Sequence, residues 1–206
     1  MKTIEELSQQ LNKLLNGEFV KINIHFNVNG ELLKLCETIN HNINQHAIGL
    51  IRFGVKNIAI PHISLFIGYI NSFEQFEFIL DQVSNYSSKT RQFRIDPTQL
   101  YLKSSKKRNS KYLFLDLLQN QQITEHQKHF CDLFTNRIKP WEWNILEETP
   151  HITLGCYKSM TNIAIKEIEK YHRFPSCQIE DIGISISGAK GVCLGNLKSF
   201  KLVGNI

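Results

Sequence analysis

No stretch of this sequence approaches the roughly 20 consecutive apolar residues that a membrane-spanning helix needs. Its opening, MKTIEELSQQLNKLLNG, has no apolar run behind a basic head; polar and apolar residues alternate there at helical spacing, so neither a secretory signal nor an anchor is expected. Cysteine is sparse and unpatterned. Cys36, Cys131, Cys156, Cys177 and Cys193 contain no C-x-x-C pair, and an odd five leaves one thiol over from any complete disulfide set. A reducing, cytoplasmic location is therefore expected. Metal-ligand patterns are missing too: His126 and His129 stand three apart on a predicted helix, but no third ligand follows at a suggestive spacing, so they read as solvent-exposed and no metal or cofactor is expected. Strong charge of one sign is also absent, the formal net charge being +5 and the pI near 8.9, a mild bias towards anionic partners.

What is present is an ordinary globular composition, 42% hydrophobic and 21% charged, in a length that supports one sizeable core or two small lobes sharing one. Thr3 with Glu6 forms a capping-box pattern before Leu7, Leu11 and Leu14, and Gly17 can close that helix. FVKINIHFNV then alternates, with Ile22, Ile24, Phe26 and Val28 on one face and Lys21, Asn23, His25 and Asn27 on the other, which predicts a half-buried strand. ELLKLCETINHNI is a helix by its apolar stripe, and IAIPHISLFIGYI a long strand. Ser72 with Gln75 caps the next helix, and FRIDPTQLYL is extended.

The second half repeats this order: KYLFLDLLQ as a strand, a helix capped by Thr124 with Gln127, PHITLGCY extended, NIAIKEIEKYH helical, then two closing strands. Each half thus runs strand, helix, histidine-bearing strand, helix, strand. One domain over residues 1–206 is expected, made of two duplicated lobes at roughly 19–102 and 111–203.

The repeated element with chemical content is PHISL at 61–65 and PHITL at 150–154. Residues i and i+2 of a strand share a face about 7 Å apart, so His62 projects with Ser64, and His151 with Thr153. If the halves pack about an approximate two-fold, two imidazoles and two hydroxyls line one cleft. An unperturbed histidine pKa near 6.5 lets one ring be neutral while the other is protonated, which suits a base and an acid, and the hydroxyls can donate to an anion. A phosphodiester is the anion that needs all four. A lone histidine on a strand is ordinarily a satisfied structural residue; the recurrence in the same setting sets this pair apart. The hydroxyls have an ordinary reading as well, bonded to nearby backbone.

Two H-h-[ST]-h motifs, each on a strand and each in one half of a chain of this size, resemble the two-histidine phosphoesterase superfamily, the LigT-like or 2′-5′ RNA ligase proteins. The resemblance implies a bilobal α+β fold with two antiparallel sheets enclosing a central cleft. It implies metal-independent chemistry on 2′,3′-cyclic phosphates, 2′-5′ linkages or related RNA ends, with His62 and His151 catalytic and Ser64 and Thr153 binding phosphate. The expected partner is accordingly an RNA end, an oligonucleotide or a cyclic nucleotide, met by a monomer.

Further substrate contacts are sought around the motifs. His25 reads as a surface residue that a concave sheet would present to the cleft. KSSKKRNSK, 103–111, offers Lys106, Lys107 and Arg108 as a phosphate-attracting rim or as a plain solvated connector, and Tyr101 and Tyr112 flank it as base-stacking or strand-packing residues. Trp141 and Trp143 read as core anchors. Two alternatives to the phosphoesterase are a non-catalytic RNA- or nucleotide-binding module of the same fold, and a cysteine hydrolase using Cys156. The latter is disfavoured because five residues separate Cys156 from His151, which in a regular strand sends them to opposite faces.

Overall fold

The computed structural model describes residues 2–54, 59–105, 109–117, 120–142, 146, 149–188 and 192–204, with side chains from Ser8 onward. Two antiparallel sheets carry the fold. The first runs β13 (Lys198–Lys201), β11 (Asp181–Ile186), β1 (Val20–Asn27), β4 (His62–Ile70), β8 (Lys139–Pro140). The second runs β2 (Ala47–Gly49), β9 (His151–Met160), β7 (Ser110–Asp116), β6 (Leu100–Ser105). Two short antiparallel ladders pair β3 (Ala59–Ile60) with β12 (Cys193–Leu194) and β5 (Phe93–Ile95) with β10 (Cys177–Ile179). This is the bilobal α+β architecture expected from the repeated motif.

The helices cover the outer faces. The first sheet is backed by α1 (Lys2–Leu15), α3 (Phe73–Ser87) and α4 (Gln121–Phe134); the second by α2 (Gly30–Asn44) and α5 (Asn162–Glu169). Their apolar stripes explain the choice of face. Leu32, Cys36, Ile39 and Ile43 of α2 are fully buried, as are Ile123, Phe130 and Phe134 of α4. Ile24 and Phe26, on the outward face of β1, are buried with them in one continuous core.

Strands from both halves of the sequence enter each sheet. β6 pairs with β7 through a short connection whose ends, Ser105 and Ser110, are in register, and β11 crosses back to pair with β1. The last strand of each repeat thus lies in the other repeat's sheet. The lobes expected at roughly 19–102 and 111–203 would have kept these strands apart. The helices cross as well, α2 of the first repeat packing on β9 and α4 of the second on β4.

Two local expectations also change. The single strand read across 58–70 is divided at Pro61, which has no N–H to give a ladder, into β3 and β4. Helix α4 begins one turn earlier than a Thr124 cap would allow: Asn120 is the cap, its side chain accepting from Ile123 N at 3.2 Å. Ser72 does cap α3, accepting from Gln75 N at 3.2 Å.

Candidate functional site

The two motifs are built alike. His62 and His151 each open their strand directly after a proline, and each ring's Nδ1 lies 2.8 Å from the carbonyl two residues back, Ile60 O for His62 and Thr149 O for His151. A carbonyl can only accept, so Nδ1 carries the proton and the neutral ring's lone pair is at Nε2. The residue after each Ser or Thr is a bulge. Between β1 and β4 the register shifts so that Leu65 is the extra residue, and between β7 and β9 it shifts at Leu154. A bulge frees carbonyls from the ladder, and each lobe satisfies one with a buried amide from the other repeat's helix. Gln127 Nε2 of α4 donates to Ser64 O at 2.9 Å, and Asn40 Nδ2 of α2 donates to Leu154 O at 2.7 Å. Gln127 is thus a core residue bonded to β4 and not part of a cap.

The environments of the two rings differ. His62 is 7% exposed; its Nε2 lies 3.2 Å from Asn23 Nδ2 and 3.3 Å from Cys193 Sγ, and its ring centroid is 5.1 Å from that of His25. Burial pushes its pKa down to about 4, a trend that the Nδ1 bond to Ile60 opposes and the nearby His151 reinforces. His151 lies on β9, which approaches β4, and is near enough to act on His62. His151 is half-buried, with its ring centroid 4.1 Å from that of Phe114. Ser64 and Thr153 are also half-buried, and Ser64 Oγ accepts from Asn23 Nδ2 at 2.8 Å.

His25 is not a surface residue. It is fully buried on the cleft side of β1, Nε2 2.7 Å from Ser185 Oγ, and burial followed by the neighbouring His62 holds its pKa well below the ordinary value. Its ring packs beside that of His62 and is closed to solvent. Its ring lies over Gly183, where an added Cβ would sit 2.5 Å from His25 Cε1. Tyr112 is likewise unavailable for stacking: it is 3% exposed and packs with Ile51, Phe114 and Cys156. Tyr101 is half-buried beside Phe114. Lys106, Lys107, Arg108 and Trp143 lie outside the described residues. Trp141 is half-buried at a cavity of about 540 Å³ along β4, with Lys21 Nζ 4.6 Å from its ring centroid, rather than anchored in the core.

His126 is buried against Phe26 and Phe93 with Nδ1 2.6 Å from the Tyr86 hydroxyl, so only His129 of that pair is exposed, stacked on Tyr86. The bulge at Leu154 also changes the reading of Cys156. It turns Cys156 to the face of Tyr112 and Phe114, the same side as His151, where its thiol is fully buried. Among the described residues, no group of three or more His, Cys, Asp or Glu side chains converges in a metal-holding arrangement.

Asn23, Ser185, Cys193, Asn40 and Gln127 are placed around the motifs by the structure and are not site candidates in the sequence. Asn23 alone had a local signal, since it shares the polar face of β1 with His25. The others are recognised only through partners distant in the chain.

No family model and no curated protein matches the sequence. Solved structures do match. LigT of E. coli complexed with 3′-AMP superposes with a TM-score of 0.57 at 13% identity, over 90% of this chain and 99% of that one. TT0787 of Thermus thermophilus gives 0.57 at 14%, over 90% and 100%, and Usb1 of Kluyveromyces marxianus gives 0.53 at 6%, over 89% and 97%. With nearly the whole of each chain covered, this protein has the fold shared by LigT, TT0787 and Usb1.

Proposed function

We propose that this protein is a metal-independent phosphoesterase acting on a cyclic phosphate or phosphodiester at a nucleotide or RNA end. The observation that carries the reading is the pair of rings locked in the same way through Nδ1 on two strands that approach each other, which supports Nε2 as the proton-transfer atom of both. A neutral ring takes a proton from the attacking water or hydroxyl as its oxygen bonds to phosphorus. The other ring, protonated, gives its proton to the oxygen that leaves, so no net charge is stranded. Ser64 and Thr153 donate to the non-bridging oxygens, where negative charge builds. LigT, the structural relative, has been captured with 3′-AMP, ATP, NADP+ and phosphate, a set that supports a nucleotide phosphate as the ligand class.

The test is a turnover panel of 2′,3′-cyclic mononucleotides, 2′-5′ and 3′-5′ oligonucleotides and cyclic oligonucleotides, with and without EDTA, and with the position of the product phosphate determined. Turnover of at least one class, unaffected by EDTA and lowered roughly 10²-fold or more in His62→Ala, is the expected result. A second reading, a module that binds such ligands without turning them over, draws on one observation: Nε2 of His62 already lies beside two side chains, Asn23 and Cys193. Ligand binding that survives His62→Ala, with turnover in no form of the protein, would favour it. Among the described residues no helix is long and apolar enough to cross a membrane, and the protein is proposed to act as a cytoplasmic monomer.

A further inference from the structure

Asn23 lies in the middle of β1, its side chain fully buried between β4 and β11. Its Nδ2 is 2.8 Å from Ser64 Oγ and 3.2 Å from His62 Nε2, while its Oδ1 is buried with no hydrogen-bond partner among the described residues. An amide nitrogen carries two hydrogens, so this one atom can serve both neighbours. We propose that Asn23 is a positioning residue of the phosphoesterase, whose amide holds His62 as the unprotonated ring of the pair and frees the Ser64 hydroxyl to donate to substrate. The proposal rests on the phosphoesterase reading for its purpose, though not for its geometry.

The donor and acceptor roles leave little choice. Nδ1 of His62 donates to Ile60 O, so the neutral ring presents a lone pair at Nε2, and Asn23 meets it with an N–H. A proton at Nε2 would set two donors against each other. Ser64 Oγ accepts the other N–H, so its own hydrogen must point elsewhere, into the cleft. Protonating His62 calls for the amide to turn over. Oδ1 then faces Nε2–H and also becomes an acceptor for the Ser64 hydroxyl, which is drawn away from the phosphate. The turn costs the two bonds that Nδ2 donates now, to His62 Nε2 and Ser64 Oγ, and this cost is what favours the unprotonated ring. One side chain therefore couples the proton on the base to the direction of the phosphate donor, and it assigns the base role to His62 and the acid role to His151.

The other groups facing His62 act in the same direction or are neutral. His25 beside it on β1 is buried, His151 faces it from β9, and the Cys193 thiol on β12 is pushed up by burial and stays protonated. Lys21, also on β1, acts on Cys193 as a cation, and α4 reaches β4 through the uncharged Gln127. None of these is a carboxylate that would favour an imidazolium.

The test is to follow the His62 ring through pH by NMR, its signal identified by its loss in His62→Gln, in the wild type, Asn23→Asp and Asn23→Ala. Asn23→Asp keeps the shape and replaces the donor by an acceptor, so the His62 titration should move up by roughly two pH units or more, and by about one in Asn23→Ala. Where turnover is measurable, the acidic limb of kcat/KM should move with it. If Asn23→Asp does not fold, Asn23→Ala decides alone. A His62 titration unmoved in every folded variant, with only the melting temperature lowered, overturns the proposal and leaves Asn23 a packing residue. The ring titration needs no substrate, so it reads Asn23 even if no phosphoester is ever turned over.

Discussion

Acid should destabilise this protein through histidines that it buries as neutral rings. His62, 7% exposed, is pushed down to about 4, whereas in the unfolded chain it returns to about 6.5. Between those values the unfolded chain takes up a proton that the folded chain refuses. Unfolding is therefore favoured as pH falls: the stability associated with His62 is fully present above about 6.5 and is lost progressively as pH drops towards 4. At about 1.4 kcal/mol per pH unit, the gap amounts to about 3 kcal/mol for this one ring. That is a large part of the roughly 5–15 kcal/mol that holds an ordinary domain together. His126, also 7% exposed and pushed to about 4 by burial, adds a contribution of the same sign, and so does His25. His62→Gln keeps a polar side chain and removes the titration. Urea unfolding of the wild type and the variant, followed by tryptophan fluorescence between about pH 7.5 and about 4.5, compares their slopes against pH, so any constant cost of the substitution cancels. The variant should lose about 3 kcal/mol less than the wild type over that range. Parallel losses would refute the reasoning, because His62 would then be protonating freely inside the fold, and its role as the neutral ring would go with it.

Replacing either His62 or His151 by Ala should lower turnover by roughly 10² to 10⁴, with the double variant far short of the product of the two, measured on whichever substrate the panel identifies; near-normal activity in either single variant sinks the pair. With His62 as base, the acidic limb of the wild-type kcat/KM profile should fall near 4, lower than two unperturbed histidines would give, and an acidic limb near 6.5 would contradict the burial of the ring. Ser64→Ala and Thr153→Val should reduce kcat; full turnover with a lower melting temperature would instead make both hydroxyls structural. Asn40→Leu and Gln127→Leu should each cost about 1–3 kcal/mol in urea unfolding, because a bulge carbonyl loses its buried donor, and unchanged stability would remove these amides from the account.

The parts of the fold that could be read from the sequence are those whose cause is local. A 3.6-residue stripe made α2, α3 and α5 legible, and alternation made β1 legible, because each pattern reports a single element meeting a single core. The pairing of β11 with β1, 160 residues distant at His25 and Ser185, has no local signature, so the exchange of strands between lobes could not be foreseen. Alternation has a further limit: it holds only until a bulge. At Leu154 the count slips by one and Cys156 changes sides, which no inspection of PHITLGCY reveals. Burial of a polar face escapes the pattern for another reason. Asn23 and His25 alternate with Ile22 and Ile24 as an exposed face would, yet β1 lies between β4 and β11 with the cleft above it, and both side chains are fully buried.

The same limit bears on mechanism. PHISL and PHITL are nearly one motif, and each fixes its ring through the same Nδ1 bond, so the motifs by themselves describe a symmetric pair in which either histidine could be the base. The symmetry is broken by residues outside both motifs. His62 meets Asn23, Cys193 and His25, while His151 meets Phe114 and stays partly open to solvent. Acid and base are two protonation states of one chemical group, and burial favours the neutral state at His62. On the proposed reading the direction of proton flow is set by contacts between β1, β4 and β12, and Asn23→Asp is expected to alter it while leaving both histidine motifs untouched.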